Sequence, residues 1–390
     1  MEFAYQIVLL GARGARRRRI IDKIHTNLAT LGLDRDCYQI LEDGESDDRD
    51  RKAATAAIFF GFDGAVNQIW PEVVGLVDDT IPIIPVVDAL SGYTMKVPDL
   101  LKSVNGKSCN SDAEEIEVVT LILENLSLLR KDRRLFISYK RDESTGVAEQ
   151  LYDKFAAKGF DCFLDTRSVR PSSIFQNELW HKLADSDVVI LLDTPNFRTS
   201  EWTVAELAQA NSTSVQILHL LWPDVKADPT SAFSVFSLLK LSNFRFVATV
   251  TDRFSTFNDR TVEQVIHDVE SLRARAIAAR QADLFDSVSD AARETGCNAD
   301  LHPQRYMTLT CGDTKLAIMP TVGVPSSPRL HGFLTALRHD HSDYELMALY
   351  DERGILEEWR EHLSWLGQHL PVKTVESGRL LQWLSARTSL

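Results

Sequence analysis

Short apolar runs alternate with stretches of helical spacing along the central part of the chain. Residues 135–138 form an apolar run bounded by charges, as is typical of a buried parallel strand, and residues 145–158 place apolar side chains at helical intervals. Further strands are predicted at 161–164, 188–192, 215–221 and 244–247. This alternation predicts an α/β domain, with a parallel sheet covered on both faces and ligands bound at the carboxyl ends of its strands. Ser138, Asp165 and the Asp193-Thr194 turn lie at such ends.

The first part of the chain repeats the alternation in a weaker form. Strands are predicted at 7–10, 38–41, 56–60 and 81–87, and a helix at 16–31. The pattern indicates a small Rossmann-like α/β domain with a regulatory role. Gly11 to Gly14, followed by arginines, lies at the first strand-to-helix junction, where free amides attract anions, although the full glycine fingerprint is missing. Both phosphate binding and a plain solvated helix start remain open for this junction.

The last part of the chain gives the weakest pattern. Strands are predicted at 316–319, 346–349 and 372–375, and helices at 355–366 and 378–384. We expect Trp359, Trp365 and Trp383 to pack in the core of this region. The pattern favours a small α/β domain used for sensing or docking.

Length and composition limit the range of interpretations. A chain of 390 residues is long enough for two or three domains. We predict three, with a connector helix between the first two: 1–108, connector 109–131, 132–281 and 282–390. The net charge of -13 argues against a protein that coats nucleic acid, and no apolar segment approaches the length of a membrane span.

Five cysteines are scattered along the chain without a Cys-x-x-Cys pair. Such usage fits a reducing cytosol and argues against zinc ribbons and a disulfide framework. We therefore expect a cytoplasmic protein without a metal site.

Three motifs of the central region follow one another in an order and spacing that are found in a known protein family. A strand ending in Phe136-Ile137-Ser138-Tyr139 is followed by Phe163-Leu164-Asp165 and then by Ser200-Glu201-Trp202-Thr203-Val204-Ala205-Glu206. In order and spacing, residues 132–281 resemble a Toll/interleukin-1 receptor (TIR) domain. The resemblance implies a flavodoxin-like parallel sheet, flanked here by two smaller α/β domains. The first of these, 1–108, is Rossmann-like or a weaker TIR-like domain.

The resemblance also implies a reaction. Many bacterial and plant TIR domains cleave NAD+ at the nicotinamide-ribose bond, and their key catalytic glutamate corresponds to Glu206. Trp202 and Glu206 stand four apart, so on a helix they share one face, with an indole beside a carboxylate. A carboxylate aimed at the ribose hydroxyls stabilises an oxocarbenium-like centre, as in glycosidases. NAD+ is then the substrate, and no further cofactor is expected.

Other positions correspond to family residues beside the nucleotide. Tyr139, Lys140 and Arg141 match the polar and basic cluster after the first strand, to which Ser138 is adjacent. Asp165 matches the acidic end of the second strand, and Phe175 matches an aromatic residue behind the following loop. No histidine stands at a motif position beside Ser138, so a hydrolase triad is unsupported there.

Two functional hypotheses of different classes remain. The first is an NAD+ glycohydrolase or cyclase of bacterial antiviral defence, which self-associates through its TIR domains when the flanking domains bind an unknown ligand or protein. The second is a non-enzymatic TIR adaptor or scaffold. The loop at 166–173 departs from the Arg-Asp-x-x-Pro-Gly pattern of receptor TIR domains, which weakens the second hypothesis. The sequence leaves the product open between ADP-ribose, its cyclic form and a base-exchanged dinucleotide.

Overall fold

The computed structural model describes residues 3–50, 53–164, 175–197, 215–227, 234–337 and 341–388. The chain divides into two compact units, of which the first comprises Met1–Lys131 with Glu263–Arg275 and the second Asp132–Val262 with Ala276–Leu390. Both contain parallel strands and helices, which confirms the predicted α/β class. The division into three domains stays a prediction.

The first unit is built on a five-stranded parallel sheet with the order β2-β1-β3-β4-β5. Its strands are β1 Tyr5–Gly11, β2 Tyr38–Glu42, β3 Ala54–Phe60, β4 Ile83–Val87 and β5 Lys107–Ser108. Its helices are α1 Ala15–Thr30, α2 Pro71–Asp78, α3 Tyr93–Lys96 and α4 Asp112–Asn125. The central strands β1 and β3 are buried almost throughout, because helices cover both faces of the sheet.

At the junction between β1 and α1, a carboxylate side chain of the first unit, Asp43, accepts hydrogen bonds. Asp43 accepts hydrogen bonds from the Gly11 amide at 2.7 Å and from the buried Arg17 guanidinium at 2.8 Å. Gly11 has φ +90°, and a Cβ there would stand 2.3 Å from the Phe60 oxygen. Because Asp43 occupies the position that an anion would take, the structure gives no support to phosphate binding at this junction.

The second unit carries the central sheet, which is parallel with the order β10-β9-β8-β6-β7. Its strands are β6 Arg133–Ser138, β7 Phe160–Leu164, β8 Val188–Asp193, β9 Gln216–Leu221 and β10 Ser234–Leu238. The described helices around it are α5 Arg141–Ala157, α6 Phe175–Ala184 and the long α7 Asp259–Thr295, of which Glu263–Arg275 belongs to the first unit. Strand order reverses between β6 and β8, so this sheet has a topological switch point there.

The predicted strand at 244–247 is wrong as a member of this sheet. Phe244–Arg245 forms a two-residue strand β11 that pairs antiparallel with β12, Thr256–Phe257. Phe244 and Phe257 contact each other edge to face, with ring centroids 5.1 Å apart, and both pack on Trp222. The run is therefore apolar because it closes a small aromatic cluster, and the edge of the sheet is the half-buried β10.

A second sheet of this unit has the order β13-β14-β15-β16-β17. Its strands are β13 Asn298–His302, β14 Tyr306–Cys311, β15 Thr314–Thr321, β16 Glu345–Tyr350 and β17 Val372–Glu376. The helices are α8 Ser327–Leu337, α9 Glu357–His369 and α10 Leu380–Thr388. The first three strands run antiparallel and the last three parallel. The structure confirms the three strands predicted here.

Two expectations for this region are wrong. Trp359 and Trp365 are 41% and 53% exposed on α9, whereas Trp383 packs against the core as expected. Their helix buries Leu363 instead. Trp365, two positions further along, lies on the outer face, whereas Trp359, one turn before Leu363, is partly exposed beside the buried His181 ring. Cys297 and Cys311 form a disulfide, since the pairing of β13 with β14 brings their Cα atoms to 4.6 Å.

Candidate active site

The carboxyl ends of β6 and β8 meet at the switch point of the central sheet. Ser138 ends β6 in register with Leu191 of β8, and Asp193 ends β8. A parallel sheet leaves a crevice where its strand order reverses, because the connections from the two strands run to opposite sides. The structure therefore confirms that Ser138 and the Asp193-Thr194 turn lie at such an edge.

The predicted residues after β6 have different environments. Ser138 and Tyr139 are 1% and 8% exposed, so both are largely part of the core. The Lys140 ammonium donates a hydrogen bond to the Asn196 backbone oxygen at 3.0 Å, across the switch point. Arg141 is exposed at the first position of α5. Lys140 therefore places a positive charge beside the crevice.

Asp165, Trp202 and Glu206 lie outside the described residues, as does the side chain of Phe175, the residue at which α6 begins. Their assigned roles stay predictions.

Glu143 is a site residue that sequence reasoning missed. One carboxylate oxygen accepts from the Asn196 side-chain amide at 2.6 Å, and the other accepts from the Asn196 backbone amide at 3.3 Å. The Lys140 ammonium is 3.8 Å from Oε1. This carboxylate thus connects the first turn of α5 to the loop after β8. The Asp142-Glu143 pair looks like an ordinary acidic helix start, so no sequence signal marks it.

Neighbouring groups stabilise the ionised form of the Glu143 carboxyl group. Burial alone would raise the pKa of this carboxyl, but the hydrogen bonds from Asn196, together with the nearby Thr194 hydroxyl and the Lys140 charge, outweigh that effect and lower the pKa below its usual value. Glu143 is therefore ionised at neutral pH.

The first turn of α5 departs from helical geometry at Ser144, the residue directly after Glu143. Ser144 has φ -151° and ψ 22°, and its hydroxyl donates to the Lys140 oxygen at 3.2 Å.

The Gly146 amide donates to the Arg253 oxygen at 2.7 Å, and a Cβ on Gly146 would come within 2.6 Å of the Ser255 oxygen. A glycine is thus needed for the helix to approach the segment before β12 this closely.

A cavity of about 360 Å³ adjoins the crevice at the ends of β8 and β9. Its lining residues are Asp193, Thr194, Pro195, Pro223, Asp224, Val225 and Lys226. The volume falls in the lower part of the range of small-molecule sites. Two carboxylates, a lysine and a threonine hydroxyl make the lining suitable for a ligand with hydroxyl groups.

A histidine and a serine lie behind this cavity. His219 Nε2 and Ser234 Oγ are 3.0 Å apart, and His219 Nδ1 is 3.6 Å from the Asp193 carboxylate. The second distance is too long for a hydrogen bond, and His219 is buried against the Phe236 ring. The geometry is that of a packed core histidine rather than a nucleophilic triad.

Among the described residues, histidine, cysteine and acidic side chains form no group of three or more that could hold a metal ion. None of the helices in this part of the chain is long and apolar enough to cross a membrane.

Comparison with protein families identifies the central region. Residues 135–253 match the family model of the TIR domain. The central third of the chain is a TIR domain. The match confirms the predicted family, and the switch-point crevice between β6 and β8 lies within the TIR domain.

A plant protein is similar to part of this domain. The "Probable 2' cyclic ADP-D-ribose synthase BdTIR" of Brachypodium distachyon is 28% identical over 93 residues, which cover 24% of this chain and 41% of the relative. The match thus spans about two fifths of that relative's length.

Two solved structures that match most of the chain do so with low TM-scores. The crystal structure of the ABC domain in complex with L-Trp from Streptococcus pneumonia covers 70% of this chain and 84% of its own, with 13% identity and a TM-score of 0.18. A score at this level carries no argument about fold or function.

Proposed function

We propose that this protein cleaves NAD+ at the nicotinamide-ribose bond, with its active site at the carboxyl ends of β6 and β8 in the TIR domain. The observation that carries the proposal is the similarity of this domain to a relative named as a cyclic ADP-ribose synthase. The switch-point crevice and the adjoining 360 Å³ cavity support it, since open α/β sheets bind nucleotides at this edge.

Little acid catalysis is required for this reaction. The nicotinamide nitrogen is cationic while bound to ribose, and nicotinamide leaves as a neutral molecule. The site must stabilise the positive charge that develops on the ribose, which a carboxylate does well in a site that excludes water. We assign this role to Glu206, with Trp202 as the aromatic surface beside it. Attack by water gives ADP-ribose, and attack by a second hydroxyl group of the substrate gives a cyclic product.

The Lys140 ammonium has a binding role in this proposal. It lies at the switch point and donates to the Asn196 oxygen, so a substrate in the crevice meets a fixed positive charge. The two phosphates of NAD+ are negatively charged and favour such a neighbour. NAD+ enters as a substrate, and the proposal includes no further cofactor.

Regulation and context form the outer part of the proposal. Self-association of TIR domains would activate the enzyme, an unknown ligand or protein would bind the flanking regions, and the setting would be cytoplasmic antiviral defence. A non-enzymatic TIR scaffold is the alternative, and the same self-association would serve it.

Nicotinamide release from NAD+ by the full chain tests the proposal. Native protein at high concentration is compared with Glu206→Gln, and Glu201→Gln serves as a control with the same change of charge nearby in sequence. Release that disappears only in Glu206→Gln supports the enzyme and its carboxylate. Equal release by all three proteins removes Glu206 from the catalytic role. Absence of release from native protein shown to be assembled favours the scaffold.

A further inference from the structure

Glu143 joins two segments that come from different strands. It belongs to the segment after β6, whereas Asn196 and Thr194 belong to the loop after β8. The contact spans 53 positions of sequence. Both oxygens of the carboxylate are directed at the same asparagine, so the interaction fixes the orientation of the loop as well as its distance.

A plain helix-start role does not account for this geometry. Acidic side chains in the first turn of a helix are stabilised by the free amides of that turn. The neighbouring Asp142 occupies the same turn and is exposed. The oxygens of Glu143 instead accept from Asn196, and its charge stands 3.8 Å from the Lys140 ammonium.

Lys140 also contacts Asn196, through the backbone oxygen of that residue. Its ammonium donates to the Asn196 oxygen at 3.0 Å, so the backbone of one asparagine is held through its oxygen by a cation and through its amide by an anion. The loop held in this way also contributes Thr194 and Pro195 to the adjoining cavity. Glu143 thus orders a wall shared by the crevice and the cavity.

We propose that Glu143 is a positioning residue that holds residues 194–196 and the Lys140 ammonium as the binding wall for the dinucleotide. The inference rests on the proposed function. Glu143 touches the wall and not the reacting bond, so its removal weakens binding of the substrate and of the transition state equally. Such a loss raises KM and leaves kcat unchanged.

Glu143→Gln is the most informative variant. Glutamine has the same shape but offers one acceptor oxygen and an amide group that donates, so it cannot accept from both Asn196 donors. Asp142→Asn removes the same charge from the adjacent, exposed position and serves as the matched control. We expect KM for NAD+ to rise about fivefold to tenfold in Glu143→Gln, with kcat within about twofold of native and Asp142→Asn unchanged. A fall in kcat at constant KM, or kinetics equal to native, overturns the inference.

Hydrogen exchange gives a second readout that does not depend on activity. The Asn196 amide donates to Glu143, and the Phe197 amide donates to the Thr194 oxygen. We expect exchange in the 194–197 segment to be about tenfold faster in Glu143→Gln than in Asp142→Asn or native protein, because the loop opens more often. If native protein shown to be assembled releases no nicotinamide, the proposed function fails and exchange alone decides whether Glu143 orders the loop. Unchanged exchange overturns the inference in either case.

Discussion

The carboxylate of Asp185 accepts a hydrogen bond from the backbone amide of Val324, with Oδ1 and the nitrogen 2.9 Å apart. Asp185 lies in the turn before β8 of the TIR sheet, and Val324 lies in the loop after β15 of the C-terminal sheet. Arg134 also forms an ion pair with Asp185. A buried polar contact therefore holds the C-terminal sheet to the edge of the TIR sheet opposite to its candidate active site.

Arg280 of α7 strengthens the same junction. Its guanidinium donates to the Ala184 oxygen at 2.6 Å and to the Ser186 oxygen at 2.9 Å, and the side chain is buried. Arg280→Ala leaves both carbonyl groups without this donor, so we expect the free energy of unfolding to fall by about 3 kcal/mol. Urea unfolding measures the change, and Arg275→Ala, which removes an exposed arginine of the same helix, is the control. Equal midpoints for the two variants would show that the Arg280 hydrogen bonds add no stability.

His181 makes the stability of this junction depend on pH. Its ring is buried and stacks on Trp359 at 5.6 Å, and its Nδ1 accepts from the Leu356 amide at 3.5 Å. Burial, reinforced by the charges of Lys182 and Arg134, lowers the pKa of His181 to about 4. The unfolded chain takes up this proton near pH 6.5, whereas the folded chain does so near pH 4. The buried neutral His181 therefore costs the folded chain no stability above pH 6.5. As pH falls from 6.5 toward 4, the free energy of unfolding decreases by about 3 kcal/mol in total, because the unfolded chain binds the proton first.

His181→Gln removes the titrating group and keeps an acceptor. We expect its free energy of unfolding to fall less steeply between pH 6.5 and 4 than that of native protein, in urea titrations at several pH values. His331→Gln, at an exposed position of α8, should keep the native slope. Parallel pH profiles for native protein and His181→Gln would contradict the assignment.

The parts of the fold that sequence predicted are those with continuous buried runs. Strands β6, β8, β9 and β15 are buried over most of their length, because a strand inside a sheet is covered on both faces. The edge strand β10 is half-buried along most of its length, and β13 is exposed, so neither produces such a run. The hydrophobic pattern of a sequence reflects which residues are buried, so strands with few buried residues are difficult to predict from it.

The candidate site was predictable to the same limited extent. Ser138 and the Asp193-Thr194 turn were placed at strand ends, where the topology of a parallel sheet brings them to one edge. The contact between Glu143 and Asn196 was not predictable, since it depends on β6 and β8 being neighbours and on the irregular turn at Ser144. Separation in sequence hides such pairs unless the strand order is known.

Gly146 permits the close approach of α5 to the segment before β12. A Cβ there would lie 2.6 Å from the Ser255 oxygen and 2.9 Å from the Phe254 carbonyl carbon, both of them backbone atoms that cannot easily shift. We expect Gly146→Ala to lower the free energy of unfolding by about 1–3 kcal/mol through overpacking. Gly75→Ala is the matched control on α2, where a Cβ would meet nothing within 4 Å. That variant should gain about 0.5–1 kcal/mol from helix propensity, and thermal unfolding of both variants checks the opposite signs. A stable Gly146→Ala protein would contradict the close approach.

The disulfide between Cys297 and Cys311 closes a short loop in the C-terminal sheet. The two cysteines are 14 positions apart, and linking them restricts the unfolded chain. A loop of this length is expected to contribute about 3 kcal/mol. The double variant Cys297→Ser, Cys311→Ser should therefore unfold at lower urea than native protein under oxidising conditions, and the gap should shrink when a reductant opens the bond in native protein. Cys37→Ser, which removes a free cysteine of the first unit, should not respond to reductant in this way. An unchanged gap with and without reductant would show that the serine substitutions act through packing and that the bond itself adds no stability.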